Sequence, residues 1–349
     1  MSLVYSFMEL EMKDKNTLQL EIEEGKLKKR NFAHEIGQDS SGEIVKIQRD
    51  EDGNIVGSSP FDAKVYSRMK YGDPEAISAA ARDIFTLIIN NPKLLSLFSE
   101  GEVVFTNEAR TVPTASYCIM TSLVNDFLNP YLTQNGLKPT ESIRSERGGA
   151  ISSDDYASLT TEQRRARVSQ RGGFFSPENQ AKLTGKKVIL FDDLVITGTY
   201  ETNQTSLLTS SGVLPEDIIP LYWIQINPEA GQNPTFEKDI NQIAVKSLAD
   251  LFDIFTKPGV QPSERIIKYV LPISDEQGNV IPEKQNDLLA LCQRLLDGDG
   301  DPEKARNGRV TLQKLFETSL SLDGFGQMDR FKSGYALIGN LLKSISSNA

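Results

Sequence analysis

Residues 188–193 read Val-Ile-Leu-Phe-Asp-Asp, and three positions later Thr197-Gly198-Thr199 lead into a stretch with helical periodicity. Four consecutive apolar residues suit a strand buried on both faces, which requires a sheet covered by helices on either side. The two carboxylates then emerge at the strand's carboxyl end, where open α/β sheets bind their ligands. The rest of the chain agrees with this reading. Asp73 can cap a helix that Pro74 opens, with Ile77, Ala80, Ala81, Ile84, Leu87 and Ile88 at helical spacing. Strands are expected over 103–105, 142–144, 187–191, 218–226 and 243–245, with helices over 114–127, 202–210 and 248–255. This alternation predicts an α/β fold with a mostly parallel sheet flanked by helices.

Both ends of the chain differ from this core. The first 60 residues alternate with period two, in Leu18, Leu20 and Ile22 and again in Ile44, Val45 and Ile47. An Asp50-Glu51-Asp52-Gly53-Asn54 turn precedes Ile55-Val56, so a small antiparallel β region is expected, a candidate hood. The last 90 residues carry helical periodicity over 288–296, 312–320 and 331–345. Three regions are therefore expected: a β-rich 1–60, an α/β core 61–258 and a helical 259–349.

With 38 Lys plus Arg against 48 Asp plus Glu, the formal charge of the 349-residue chain is −10. That balance disfavours a broad surface for nucleic acid or anionic membrane, but allows a small phosphorylated ligand where positive charge gathers locally. No apolar stretch reaches membrane-spanning length and no signal-peptide pattern opens the chain, so a cytoplasmic protein is expected. Cys118 and Cys292 sit in apolar helical patterns and read as buried free thiols.

A turn of glycine and hydroxyl residues at a helix N-terminus offers free backbone N–H groups, hydroxyl donors and the positive end of the helix dipole, a setting for a phosphate dianion. Here it lies a few residues beyond Asp192 and Asp193, at about the separation of a ribose's two hydroxyls from its 5′-phosphate. On these residues the segment 186–200 resembles the phosphoribosyl pyrophosphate motif of type I phosphoribosyltransferases. The resemblance covers roughly 67–255. It implies that Asp192 and Asp193 contact the ribose 2′- and 3′-hydroxyls with Mg²⁺ nearby, held through water, and that Thr197, Gly198, Thr199 and Tyr200 wrap the 5′-phosphate. Tyr200 stands where the family generally has Thr or Ser. Ile196 stands where some members carry an Asp that serves a purine, which disfavours an acceptor of that kind. Members found in bacterial stress-response gene sets are among those the chain resembles.

The resemblance implies two further devices. After the 103–105 strand, Arg110 is placed to hold pyrophosphate. The polar stretch 148–184 occupies the position of a mobile lid, and Arg164, Arg165, Arg167 and Arg171 give it a local positive excess, with Gly172-Gly173 as hinge and Phe174-Phe175 as a seal. A solvated helix over 161–168 is the competing reading, and Arg144 and Arg147 are further candidates. Arg110, Arg164, Arg165 and Arg167, with Asp192 and Asp193, form the expected catalytic set. It stabilises the leaving pyrophosphate, and His34, the single histidine, is expected at the surface.

Tyr222 and Trp223 must point to opposite sheet faces; one could stack on a base, or both could be core. Lys70 and Tyr71 are candidates for a hood or a dimer contact. The Asp297-Gly298-Asp299-Gly300-Asp301 run lacks the Gly and Glu positions of a calcium loop and reads as a helix-ending turn. Two functions stand open: a Mg²⁺-dependent transferase moving ribose 5-phosphate from phosphoribosyl pyrophosphate to a nucleobase-like acceptor, or a non-catalytic regulator binding the same ligand or a nucleotide. A homodimer is compatible with both.

Overall fold

The computed structural model describes residues 30–50, 52–107, 112–147, 173–233, 235–275, 277–321 and 329–346. Its strands in chain order are β1 (Asn31–Gln38), β2 (Ile44–Arg49), β3 (Ile55–Pro60), β4 (Val103–Asn107), β5 (Glu141–Arg144), β6 (Glu146–Arg147), β7 (Gly173–Phe174), β8 (Lys187–Val195) and β9 (Ile218–Ile226). Among the described residues, seven of them form one sheet in the order β3-β2-β1-β9-β8-β4-β5, and β6 pairs with β7 apart from it. The pairs β1–β9, β9–β8, β8–β4 and β4–β5 are parallel; β1–β2 and β2–β3 are antiparallel.

The helices are α1 (Ala63–Lys70), α2 (Pro74–Asn90), α3 (Pro92–Glu100), α4 (Ala115–Ser122), α5 (Asn129–Gln134), α6 (Pro177–Leu183), α7 (Thr199–Ser210), α8 (Phe236–Gln242), α9 (Phe252–Phe255), α10 (Glu264–Val270), α11 (Pro282–Asp297), α12 (Pro302–Ser321) and α13 (Asp329–Ser346). Asp73 caps α2 as the sequence predicts, its carboxylate accepting from the Glu75 and Ala76 amides. The expected 114–127 helix is α4 followed by a π-type turn over Leu123–Leu128. Both cysteines are buried free thiols, and burial pushes each up to about 12.

Two findings correct the sequence reading. The first strand of the amino-terminal region is not purely antiparallel: β1 joins β9 in parallel, so β1–β3 extend the central sheet. No strand forms over 243–245. There the Ser67 hydroxyl donates to the Asn241 carbonyl at 2.7 Å and accepts the Ala244 N–H at 3.1 Å, bending the chain behind α8. Val245 is then buried with the carboxyl-terminal helices instead of in the sheet.

Three apolar clusters hold the molecule. One packs α2 and α4 on the sheet face carrying Phe105, Ile189 and Phe191. A second covers the opposite face with Val104, Val188, Leu190, Leu183 and Leu208. The third joins Tyr71, Val112, Val245 and Leu251 to Ile266, Ile267 and Val270 of α10 and the leucines of α11 and α12, so the carboxyl-terminal helices sit beside the loops at the carboxyl edge of the sheet. The 297–301 run is the tight turn the sequence predicts. Gly298 ends α11 in left-handed geometry, Arg294 pairs with Asp299, and Asp301 accepts from the Glu303 and Lys304 amides.

Gly308 of α12 lies so close to α11 that a Cβ there would collide with the Leu295 carbonyl, a backbone atom that cannot swing aside. Gly308→Ala is therefore expected to destabilise the protein. The helix preference of alanine contributes at most about 1 kcal/mol in favour, whereas overpacking against fixed backbone costs about 1–3 kcal/mol. Urea unfolding would check the sign, and a raised midpoint would contradict this packing. No helix among the described residues is long and apolar enough to cross a membrane.

Candidate functional site

The parallel strands run β9-β8-β4-β5, so the chain leaves β4 toward one side and β8 toward the other. At such a reversal the crossover helices diverge and a crevice opens between the carboxyl ends of the two strands. Asn107 ends β4 on one side of this reversal, and the segment from Asp192 to Gly198 leaves β8 on the other.

β8 continues past Phe191 through both aspartates to Val195, paired with β9 up to Val195–Gln225. Adjacent strand residues start out to opposite faces, yet the two carboxyl groups remain in contact, and Asp192 helps to lower Asp193. Asp192 is half-buried, and its Oδ1 accepts the Asp193 N–H at 3.0 Å. Asp193 is buried, forms an ion pair with Lys70 of α1, and accepts from the Tyr66 hydroxyl at 3.3 Å. Burial works against its charge, but the Lys70 ammonium outweighs it and the carboxyl stays below its ordinary range. Tyr66 is raised well above the usual phenol value, by burial first and then by Asp193. It stacks on Trp223, whose Nε1 donates to Asp83 at 3.0 Å. Lys70, expected in a hood or at a dimer contact, thus has an internal role, and Tyr71 is buried against Tyr269.

Beyond β8 the chain turns through Thr197, exposed, and Gly198, whose φ of 78° and ψ of 6° lie in the left-handed region. This turn starts α7 three residues before the expected 202. No side chain caps the helix, so the first-turn amides of Thr199 and Glu201 have no intrahelical acceptor. The Thr197 and Thr199 hydroxyls are 3.0 Å apart at the mouth of the turn. Tyr200 turns its ring into the cluster with Leu207 and Leu208, so its contribution to the turn is the backbone.

Glu201, 1% exposed, accepts from Arg30 Nε at 2.6 Å and from the Tyr222 hydroxyl at 3.0 Å. The Tyr222 phenol is raised well above its usual value, by burial first and then by Glu201. The Arg30 guanidinium lies against Gly198, where a Cβ would strike its Nη2. Across the crevice Asn107 is fully buried, and its Oδ1 and the Thr106 hydroxyl take no hydrogen bond among the described residues.

The structure brings Asp192, Asp193, Thr197, Gly198, Thr199 and Tyr200 into one strand–turn–helix unit. Arg110, Arg164, Arg165, Arg167 and Arg171 lie outside the described residues, as does Gly172. Arg144 lies over the Tyr117 ring at 4.8 Å, and the Arg147 side chain is outside the described part. Phe174 is exposed and Phe175 is buried in the core, so the expected seal divides. Tyr222 and Trp223 are both buried, so of the two expectations the core reading holds. His34 is not a plain surface residue: it lies on β1 and its Nε2 meets Asp83 at 2.8 Å. Arg30, Glu201 and Lys70 were the residues whose local role went unread. Glu201 alone left a signal, as an acid in a helix's first turn.

Comparison with known proteins places these observations in a family. A family model described as PRTase ComF-like matches residues 52–298, well over half of the chain. No curated protein matches. Among solved structures, the crystal structure of APRTase from Giardia lamblia complexed with 9-deazaadenine aligns at 15% identity, covering 57% of this chain and 87% of that one with a TM-score of 0.29. The family match spans β8, the Gly198 turn and α7, and on it the chain belongs to the ComF-like phosphoribosyltransferase family.

Proposed function

We propose that the chain binds phosphoribosyl pyrophosphate between the Gly198 turn and Asp192, and transfers its ribose 5-phosphate to a nucleobase-like acceptor. The C1′–pyrophosphate bond breaks as a bond from C1′ to an acceptor nitrogen forms, and pyrophosphate and the acceptor's proton leave. The observation that carries this reading is the uncapped helix N-terminus behind a left-handed glycine, a few residues beyond a half-buried carboxylate at the end of a central strand. Such a turn solvates a phosphate dianion with fixed N–H dipoles, and Asp192 can accept from a ribose hydroxyl.

In this reading Asp193 acts indirectly, fixing α1 against the strand end through Lys70. No group of three or more His, Cys, Asp or Glu among the described residues could form a protein metal cage. Mg²⁺ brought in with the donor would be held by Asp192, a single carboxylate at the strand end. When bound it would neutralise charge developing on the pyrophosphate. Asp192 would orient the ribose and the turn would anchor its phosphate, so that position supplies much of the rate. Binding without turnover is the second reading, favoured by Tyr200, which points into the core where a hydroxyl contact to phosphate is expected.

Calorimetry with phosphoribosyl pyrophosphate and Mg²⁺ tests the site. The wild-type chain should bind saturably, and Asp192→Asn should weaken binding about 10- to 100-fold, ~1.5–3 kcal/mol for a charged hydrogen bond. Equal affinity of the variant would remove Asp192 from the site, and no binding by either would overturn the reading. Pyrophosphate release measured over a panel of bases separates transfer from binding alone.

A further inference from the structure

We propose that Arg30 is a ligand of the same phosphate: its guanidinium, tethered by Glu201, closes the Gly198 turn on the side opposite the helix amides. The inference rests on the cradle reading above and adds to it a cation that immediately precedes β1, 171 positions from Glu201 in sequence.

Three observations point this way. First, Glu201 holds Arg30 through Nε, while Nη2 is the atom against Gly198; a guanidinium gripped at one corner keeps its terminal nitrogens for another partner. Among the described residues no other carboxylate pairs with it. Second, Glu201 is also satisfied by the Tyr222 hydroxyl. Both contacts fall on Oε2, so the buried carboxylate is anchored to β9 as well as to Arg30, which restricts the guanidinium and lowers the ordering entropy that a ligand contact would otherwise require. Third, the guanidinium and the positive end of α7 both attract an anion, so a phosphate placed between Arg30 and the Thr199 amide gains from the two together. Arginine suits this place because its planar fork matches two phosphate oxygens.

A purely structural ion pair is the competing account, and the two differ in what they make depend on Arg30. A structural pair supports folding; a phosphate ligand supports affinity for phosphorylated ligands and its decline with salt. Two variants keep the question answerable. Arg30→Gln removes the charge and retains an amide donor toward Glu201. Arg30→Met with Glu201→Gln leaves no unpaired buried carboxylate while keeping the Tyr222 contact.

Calorimetry with ribose 5-phosphate at two salt concentrations, beside a thermal melt of each protein, supplies the readout. Expected is a loss of affinity of about 10- to 100-fold in whichever variants stay folded, with a shallower salt dependence than wild type. Wild-type binding together with folded variants that bind within twofold of it would overturn the role of Arg30 and leave the cradle standing. No binding of ribose 5-phosphate or phosphoribosyl pyrophosphate by the wild-type chain would overturn the cradle, and this inference with it.

Discussion

Replacing Lys70 with methionine is expected to lower the unfolding free energy by about 3–5 kcal/mol, because it strands the buried Asp193 carboxylate without its cation. Both side chains of this pair are nearly closed to solvent, at 13% and 8% exposed. The Tyr66 hydroxyl would remain as one donor to Asp193, too little to solvate a carboxylate taken out of water. For a domain whose whole stability is about 5–15 kcal/mol, the change is large enough to read directly as a urea midpoint. Lys70→Met combined with Asp193→Asn removes both charges and keeps a polar partner for Tyr66. It should recover most of the loss, since exchanging a buried pair for neutral groups is often close to neutral. A double variant as unstable as Lys70→Met would show that the packing of Lys70, and not its charge, holds α1 in place.

The same pair fixes the direction of the acid response. Asp193 is held below its ordinary range in the folded protein, so the unfolded state binds its proton first as pH falls. Its contribution is complete above the unfolded value of about 3.9 and is lost as pH drops through the lower folded value. The wild-type protein and the double variant should therefore differ in the slope of stability against pH only below about pH 4.

Much of the frame was legible because it depends on local pattern. The apolar run at 218–226 became a strand with those bounds, and Asp73-Pro74 marked a helix start through its own capping bonds. The aspartates were read as the end of their strand, yet pairing continues to Val195, because a polar side chain does not prevent its backbone from joining a ladder. The direction of β1 was beyond reach for another reason. Alternating apolar residues are the same whether a strand pairs in parallel or antiparallel, and its partner β9 lies far along the chain. At the site, the turn and helix were readable from Thr197-Gly198-Thr199. The ion pairs that shape it were not: Lys70–Asp193 and Arg30–Glu201 each join residues more than a hundred positions apart, and no local spacing encodes them.

Gly198→Ala is expected to damage binding more than folding. With φ at 78°, an alanine there would stand in left-handed geometry at about 1–2 kcal/mol, a modest fraction of total stability. Its methyl would also be directed at Nη2 of Arg30. That nitrogen is the movable end of a long side chain, so the collision is relieved by displacing the guanidinium and not by moving backbone. The displacement, however, disturbs the grip of Glu201 and places a methyl in the phosphate's turn. Affinity for phosphoribosyl pyrophosphate should fall at least about tenfold, ~1.4 kcal/mol, beyond what the melt alone accounts for. A double-mutant cycle with Arg30→Gln separates the two contributions. The backbone cost persists when the guanidinium is gone, whereas the part of the affinity loss that comes from pushing Arg30 aside must vanish. If Gly198→Ala weakens binding equally in both backgrounds, the methyl acts on the turn alone and the loss owes nothing to displacement of Arg30.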